Sequence, residues 1–408
     1  MREQLAEVGF VDKEHDEKAD LYVINTCTVT AKSDRESRSV IRHCHKENPD
    51  AKILVTGCLV QRDEDAVKDL PGVTAVIKNE NKDRIEDFIN TNAKKTDSGS
   101  LSVYTPLKIS DFHDRTKAFV KIQDGCDGFC SYCKVPLARG GSRSRGIDDI
   151  LNEIRNLSER GFKEIVLTGI SVGDWGKTLN NHPTLSRLIK DICGIESEFR
   201  LRISSIEPLF VTDELIKSIV ESKRVCRHLH IPLQSGSDRI LKLMNRPYTS
   251  GYYLDLIKKL KGAMPEISIT SDVMIGFPGE TPRDFRETAR IVRSVAPSRL
   301  HVFAYSRRPG TAAANLACNH HIKEIKIRRD ALLELADAFS FKYRRRFLNK
   351  SVEGLVETRR DPRTGLLTGY TDTYIKFLAE GPDGLMGRLV PLKVNKLDIK
   401  STFCKYLQ

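Results

Sequence analysis

Three cysteines lie within eight residues near the middle of the chain, at Cys126, Cys130 and Cys133. They follow a strand-like run directly, and loops after strands are where enzymes of alternating strands and helices carry their chemistry. Three thiolates can hold three irons of a four-iron cubane and leave the fourth iron open for a reacting ligand. Structural zinc is the alternative, but it usually needs four protein ligands, and no further Cys or well-spaced His follows nearby. The spacing therefore favours a catalytic iron–sulfur cluster.

A second pair of thiols, Cys27 and Cys58, follows two short apolar runs near the N-terminus. The carboxyl ends of parallel strands meet at one edge of a sheet, so the two thiols are expected to project together and to act as ligands. Cys44 comes 17 residues after Cys27 within a helical pattern, which would carry it roughly 20 Å away. Ordinary packing is the expected role of the remaining cysteines, Cys193, Cys226, Cys318 and Cys404.

The elements that must position these thiols form an α/β pattern. Short apolar runs at 21–25, 52–57 and 74–77 alternate with helical stretches and predict a small parallel α/β domain over residues 1–92. Residues 93–111 are polar and rich in turn formers, as in a linker. Over residues 112–342 six strand-like runs alternate with amphipathic segments and predict a partial (β/α)6 barrel. The six runs are 117–122, 164–168, 199–204, 227–231, 268–275 and 299–305.

The C-terminal part has a different periodicity. A long helical pattern runs from about Ile322 to Phe347, and short strands with Gly, Pro and Asp turns then predict a small all-β module over residues 345–408. From Lys342 onward the chain has 14 Lys or Arg and 7 Asp or Glu. A barrel that grips RNA is therefore expected. Three consecutive arginines, Arg344, Arg345 and Arg346, could contact phosphates; a solvated helix end that favours positive charge is the alternative.

The whole chain is basic, with 67 Lys and Arg against 55 Asp and Glu and a net charge of +12. Such a charge suits a polyanionic partner better than a membrane or an acidic peptide. The sequence has no leader pattern and no apolar run near the roughly 18 residues that a spanning helix requires. A cytoplasmic protein is therefore expected, in a compartment where cysteines stay reduced and clustered ones act as ligands or catalytic thiols.

The cysteine spacing resembles that of the radical S-adenosylmethionine (SAM) enzymes. Nearly the whole chain is similar to their methylthiotransferase branch, which joins an N-terminal cluster domain, a radical SAM barrel and a C-terminal β-barrel called TRAM. The matching sequence motifs are TGCLVQ at 56–61, LTGIS at 167–171, HIPLQSGSDRIL at 230–241 and IGFPGET at 275–281. The resemblance implies SAM on the open iron of one [4Fe–4S] cluster and a second [4Fe–4S] cluster in the N-terminal domain.

The resemblance also implies roles for individual residues. Tyr132 would lie against the adenine of SAM, and by the same resemblance Arg139 would belong to the site. Strand-end residues expected to bind the cofactor are Thr168, Gly169, Ser205, Glu207, Gln234, Ser235 and Asp272, although polar residues also cap helices there. In the family the second cluster has three cysteines, of which Cys27 and Cys58 would be two. The strand and Cys that carry the third are absent from this sequence, so an internal start or a truncated product is expected.

The family's branches differ in substrate, and the words at hand favour one. INTCTVT, KIQDGCDGFCSYC and RISSIEP resemble the branch that adds a methylthio group to carbon 2 of N6-threonylcarbamoyladenosine beside a tRNA anticodon. The implied partners are a tRNA anticodon arm, a one-electron reductant and an unidentified sulfur donor. The alternatives are an isopentenyladenosine tRNA, a ribosomal protein aspartate, or a non-catalytic RNA-binding iron–sulfur redox sensor. One departure is Lys134, where the family usually carries an apolar residue; its charge could perturb the cysteine loop.

Overall fold

The computed structural model describes residues 1–13, 17–28, 30–89, 116–318 and 320–407. They form two compact units. As far as they are described, the first contains residues 1–110, 124–143 and 306–315, and the second contains residues 111–123, 144–305 and 316–408. The predicted linker, residues 93–111, lies outside the described residues.

The N-terminal part of the first unit is a three-stranded parallel sheet in the order β1-β2-β3. Its strands are β1 (Leu21–Thr26), β2 (Lys52–Gly57) and β3 (Val73–Ile77), and its helices are α1 (Arg2–Glu7), α2 (Ala31–Glu47), α3 (Cys58–Arg62), α4 (Glu64–Lys68) and α5 (Glu86–Ile89). Ile53 of the central strand packs in one buried cluster with Ile41 of α2, while Leu54 packs in another with Phe88 of α5. A sheet covered on both faces needs near-continuous apolar strands, which confirms the predicted parallel α/β domain.

Alternating strands and helices occupy the middle of the chain. The strands are β4 (Ala118–Lys121), β5 (Gln123–Asp124), β6 (Arg143–Ser144), β7 (Glu164–Thr168), β8 (Arg200–Ile203), β9 (His228–His230), β10 (Ser268–Ile275) and β11 (Arg299–Ala304). The helices are α6 (Val135–Arg139), α7 (Ile147–Glu159), α8 (Leu185–Cys193), α9 (Asp213–Glu221), α10 (Asp238–Leu243), α11 (Ser250–Ala263) and α12 (Pro282–Val295).

Six of these strands make the predicted partial barrel within the second unit. β4, β7 and β8 form one parallel sheet, and β9, β10 and β11 form another. Two parallel bridges, Leu201 to Val225 and Ser205 to His230, join the sheets between β8 and β9. All six predicted strands are confirmed to within two residues.

A helix and a closed five-stranded barrel complete the second unit. The helix α13 (Ile322–Arg345) leads into β12 (Ser351–Val356), β13 (Leu367–Thr371), β14 (Lys376–Ala379), β15 (Leu389–Leu397) and β16 (Thr402–Tyr406). Phe377 is fully buried at the centre of this barrel's core. Gly369 faces it, where an added Cβ would lie 2.0 Å from the carbonyl oxygen of Leu355. The closed barrel confirms the predicted all-β module. Among the described residues, no helix has both the length and the apolar character needed to cross a membrane.

The turn between β13 and β14 contacts the amino-terminal ends of the six-stranded barrel's strands, and we call this contact the barrel floor. Arg200 donates to the carbonyl oxygen of Tyr370 at 2.8 Å, and Arg202 donates to that of Thr371 at 3.1 Å. The imidazole of His228 stacks on the ring of Tyr374 with 4.5 Å between centroids. These contacts fix the small barrel to the end of the large one opposite to the end where strand-following loops gather.

Candidate functional site

The three clustered cysteines lie in a loop whose ends are tied together. The amide of Cys126 donates to the carbonyl oxygen of Gly140 at 3.1 Å. Gly125 has φ +73°, and an added Cβ would lie 1.9 Å from the carbonyl oxygen of Gly141. Only glycine therefore fits where the loop begins.

The thiols of this loop suit an iron–sulfur cluster. All three are half-buried. The amide of Gly128 donates to Cys126 Sγ at 3.2 Å, and the amide of Val135 donates to Cys133 Sγ at 3.4 Å. Backbone amides that point at sulfur stabilise the thiolate form and tune a cluster's potential. Three soft thiolates, two of them supported by backbone amides, fit a [4Fe–4S] cluster with one iron left for another ligand.

The N-terminal cysteines lie in the same compact unit as this loop. Thr26 pairs with Gly57 in the sheet, so Cys27 and Cys58 directly follow two residues that face each other. The guanidinium of Arg139, at the end of α6, donates through Nε to Cys58 Sγ at 3.1 Å. Cys27 is exposed and Cys58 is half-buried. The register thus places the two residues at the same edge of the sheet, and both the convergence of their thiols and their role as ligands stay predictions.

Lys134, which follows the third loop cysteine, is buried with no hydrogen-bond partner for Nζ among the described residues. Burial, together with the neighbouring charges of Arg62 and Arg308, lowers the pKa of Lys134 to about 8, although Asp34 and Asp63 act in the opposite direction. A buried ammonium without a partner is unfavourable. Lys134 therefore costs stability in a loop where an apolar side chain would pack.

Replacing this lysine should stabilise the first unit. Lys134→Met is expected to raise the free energy of unfolding by about 1–3 kcal/mol, the usual cost of burying an unpaired polar group. Urea unfolding followed by circular dichroism under anaerobic conditions measures it. Lys32→Met is the matched control, because Lys32 is 77% exposed and pairs with Glu36 on the surface, so its effect should stay within about 0.5 kcal/mol. A Lys134→Met protein no more stable than wild type would contradict this account.

The strand-end residues of the second unit fall into different environments. Gly169 lies where an added Cβ would come within 3.0 Å of Gln123 Oε1, which accepts from the amide of Ser171. Thr168 ends β7 and donates to the carbonyl oxygen of Val120 at 3.4 Å. Ser205 is exposed and bridges to His230 at the end of β9. β7 and β8 are therefore followed by small or polar groups, as a ligand site requires.

The side-chain oxygen of Gln234 is the strongest candidate for a contact with a bound ligand. The φ of this residue is +62°, a conformation that non-glycine residues adopt at a cost. Its amide donates to the carbonyl oxygen of Asp272, and its own carbonyl accepts from Met274, both at 2.9 Å, so β10 holds it. The side-chain Oε1 is buried and has no partner among the described residues. An unpaired buried acceptor costs about 1–3 kcal/mol, which a donor on a bound ligand would offset.

Two predicted residues are engaged elsewhere, and the prediction for each is corrected. Ser235 is fully buried, and its hydroxyl contacts Thr288 Oγ1 of α12 at 3.3 Å and accepts from the amide of Ser237, so it fixes a loop to a helix. Arg344 is also buried, and its guanidinium donates to the carbonyl oxygens of Asp398 and Ser401. Neither side chain is available to a cofactor or a phosphate.

Other predicted residues keep an open role. Glu207 forms an ion pair with the buried Arg246. Tyr132 is half-buried within the cysteine loop. Arg345 and Arg346 are exposed at the end of α13, although Arg346 also donates to the carbonyl oxygen of Pro265.

Sequence reasoning missed two histidines beside Asp272. His230 Nε2 lies 3.1 Å from Asp272 Oδ2, and His301 Nδ1 lies 3.0 Å from Asp272 Oδ1. Burial by itself would raise the pKa of Asp272, but the hydrogen bonds from the two histidines outweigh it and hold that pKa well below its usual value. The spacing of His228 and His230 on one strand could have shown that one face of the sheet is polar; the pairing with His301 depends on a register that the sequence does not display.

Comparison with known proteins adds two family matches. Residues 120–292 match the radical SAM superfamily, and residues 1–78 match the family described as uncharacterized protein family UPF0004. The chain is 37% identical over 402 residues to "Threonylcarbamoyladenosine tRNA methylthiotransferase MtaB" of Bacillus subtilis (strain 168), across 96% of this chain and 88% of the relative. It is 35% identical to "tRNA-2-methylthio-N(6)-dimethylallyladenosine synthase" of Carboxydothermus hydrogenoformans, across 96% of this chain and 92% of the relative.

Solved structures show the same fold at lower identity. The radical SAM methyltransferase TsrM from Kitasatospora setae superposes with a TM-score of 0.54 at 15% identity, over 73% of this chain and 66% of that one. The chain thus spans just under two thirds of that structure's length. At this identity the likeness concerns the fold alone, and it agrees with the six-stranded barrel described above.

Proposed function

We propose that this chain, which belongs to the radical SAM methylthiotransferase family, adds a methylthio group to carbon 2 of N6-threonylcarbamoyladenosine in tRNA. The observation that carries the proposal is its 37% identity, over 88% of the relative's length, to the Bacillus subtilis protein with that substrate in its name. The relative from Thermotoga maritima bears the same name and is 38% identical over 86% of its length. The position beside the anticodon is part of the same proposal.

The chain is an enzyme whose cofactors are a [4Fe–4S] cluster and SAM, as in the rest of its family. When bound, these groups supply the one-electron cleavage of a carbon–sulfur bond that lets a hydrogen be removed from the adenine ring. Cys126, Cys130 and Cys133 would hold the cluster, and the amides of Gly128 and Val135 would stabilise its thiolate ligands. A second cluster on Cys27 and Cys58 is a further proposal.

The chain's own residues position the reaction. Gln234 offers a buried acceptor at the carboxyl end of the barrel strands. At the opposite end the barrel floor closes the strands through Arg200, Arg202 and His228. A barrel closed at one end leaves the other end as the entry for the target base.

The proposed partner is a tRNA anticodon arm. The net charge of +12 favours a polyanion, and anticodon bases can be splayed out without melting a duplex. Arg345 and Arg346, exposed beside the small barrel, are the arginines that remain as phosphate contacts. A one-electron reductant and a sulfur donor complete the reaction. We propose the cytoplasm as its location, because tRNA is modified there.

The substrate is tested by nucleoside analysis of tRNA. A Bacillus subtilis strain without its own relative should regain 2-methylthio-N6-threonylcarbamoyladenosine when this chain is expressed, as measured by mass spectrometry of digested tRNA. A Cys130→Ala version expressed to the same level is the control and should restore nothing. Appearance of the methylthio group on dimethylallyladenosine instead, or on neither nucleoside, would overturn the proposal.

A further inference from the structure

We infer that His301, supported by the carboxylate of Asp272, hydrogen-bonds the polar substituent on N6 of the target adenosine and so determines which modified adenosine the enzyme accepts. This inference rests on the proposed function, since it names the group that reads the threonylcarbamoyl substituent.

His230, Asp272 and His301, which we call the histidine–aspartate cluster, lie on three neighbouring parallel strands. His230 of β9 pairs in register with Thr270 of β10, and Asp272 of β10 pairs in register with His301 of β11. The two oxygens of Asp272 lie 3.1 Å from His230 Nε2 and 3.0 Å from His301 Nδ1. Each oxygen of the carboxylate thus contacts one imidazole, and the strand register fixes the distance between the two imidazoles.

A chain of hydrogen bonds behind the cluster sets which ring nitrogen carries a proton. Thr270 Oγ1 lies 3.0 Å from His228 Nε2 and 2.9 Å from His230 Nδ1. Burial lowers the pKa of His228 well below its usual value, so it is neutral and has a single N–H. If that N–H is at Nε2, it donates to Thr270, whose hydroxyl can then donate to His230 Nδ1.

The donor-to-acceptor order of these hydrogen bonds continues from His230 to His301. With Nδ1 as an acceptor, the proton of His230 is on Nε2 and donates to Asp272. The second oxygen of Asp272 then accepts from His301 Nδ1–H. The last atom in this series of hydrogen bonds is His301 Nε2. It either accepts a hydrogen bond or, when the ring is protonated, donates one to an anion. The His301 side chain is 49% exposed, against 16% for that of His230.

The cluster lies on the face of the sheet that a substrate can reach. Ser271, between Thr270 and Asp272, contacts Tyr253 of the covering helix α11 at 3.1 Å. Successive strand residues point to opposite faces, so Thr270 and Asp272 face away from that helix, into the barrel. His230 is the last residue of β9. Asp272 and His301 lie midway along β10 and β11. The three side chains therefore lie inside the barrel and face the carboxyl end of the strands, where barrels of this type bind their substrates.

The chemistry of the cluster favours a polar substituent over an apolar one. A threonylcarbamoyl group carries a carboxylate, a hydroxyl and a urea-like linkage, each able to pair with His301 Nε2. A dimethylallyl group has no such atom. It would displace water from the imidazole and the carboxylate without replacing the hydrogen bonds that the water made. A site that hydrogen-bonds its substrate rejects an analogue without the bonding group more strongly than an apolar pocket rejects a polar group.

The test compares two substitutions on two substrates. His301→Leu should lower kcat/KM for tRNA carrying N6-threonylcarbamoyladenosine about 10- to 100-fold, as expected for one hydrogen bond to a charged group. His301→Gln, whose amide can replace Nε2, should recover part of the loss. The Kd for SAM and the slow release of 5′-deoxyadenosine without tRNA should not change. His182→Leu is the matched control, because His182 is an exposed histidine at a loop position far along the chain, and it should behave as wild type.

Three outcomes would overturn the inference. Equal losses on threonylcarbamoyl and dimethylallyl tRNA would mean that His301 does not read the substituent. A weaker Kd for SAM in His301→Leu would mean that the cluster serves the cofactor. One equivalent of zinc in wild type, lost on His301→Leu, would make the cluster a metal site. A wild-type enzyme that acts only on dimethylallyl tRNA would refute the proposed function itself, and this result is distinct from the other three.

Discussion

Cys126→Ala is expected to leave a folded protein that releases no measurable 5′-deoxyadenosine from SAM. Three thiolates are the minimum that holds a cubane with one open iron, so the loss of one leaves a second iron without a protein ligand and removes the cluster. The loop should remain closed, because its tie is the backbone hydrogen bond from Cys126 to Gly140, which does not use the side chain. Anaerobic reconstitution, iron analysis and chromatography of the reaction products measure the effect.

Cys318→Ala is the matched control for that substitution. Cys318 is exposed and lies in the other compact unit, so its removal should change neither iron content nor product release. The iron content of Cys126→Ala should fall by about four atoms per chain relative to wild type. A Cys126→Ala protein with wild-type iron and wild-type SAM cleavage would show that the cluster is held elsewhere.

The largest expected loss of stability is that of Glu164→Gln. Glu164 is fully buried, and its carboxylate accepts from Arg200 Nε at 2.6 Å and from Arg202 Nε at 2.8 Å, with Lys117 at 3.9 Å. Without its charge, two buried guanidinium groups lose their counterion, which costs about 3–5 kcal/mol. Urea unfolding followed by fluorescence of Trp175, the single tryptophan of the chain, reports on the same compact unit.

The control for Glu164→Gln makes the same chemical change on the surface. Glu198 is 81% exposed and pairs with Lys163, so Glu198→Gln should cost no more than about 1 kcal/mol. If both substitutions destabilise the protein equally, the barrel floor does not depend on the buried charge network. Adding Arg202→Met to Glu164→Gln should recover part of the loss, because it removes one of the unpaired charges.

The pH dependence of this network has a defined sign. Burial alone would raise the pKa of Glu164, but Arg202 and Arg200 outweigh burial and lower it from 4.5 to about 2. The folded state thus holds the carboxylate ionised more strongly than the unfolded state does. The contribution of Glu164 is therefore complete above pH 4.5 and is lost as the pH falls toward 2.

The strands, the closed C-terminal barrel and the cysteine loop were predictable from the sequence because each depends on local pattern. Buried parallel strands such as β2 and β7 contain short apolar runs, and the three loop cysteines are separated by a few residues only. The order of the elements then determines which residues follow which strand. Thr168 and Gly169, for example, could be assigned to the end of β7 before the fold was known.

The residues that sequence reasoning misplaced depend on direction and register. Arg344, Arg345 and Arg346 are adjacent in sequence, but successive residues of a helix point about 100° apart, so Arg344 turns into the protein while its neighbours stay exposed. His301 is more than 70 residues from His230 along the chain, and only the pairing of β9, β10 and β11 brings both to Asp272. Such pairing is set by packing of the whole sheet, which a single sequence does not reveal.

The central claim is that Cys126, Cys130 and Cys133 leave one iron of a cubane free to bind SAM. Electron paramagnetic resonance of the reduced, anaerobically purified protein tests it most directly. The spectrum of a reduced [4Fe–4S] cluster should change when SAM is added, and the Cys126→Ala, Cys130→Ala and Cys133→Ala proteins should not show that change. Zinc bound in place of iron, or a cluster spectrum that stays the same with SAM, would contradict the account.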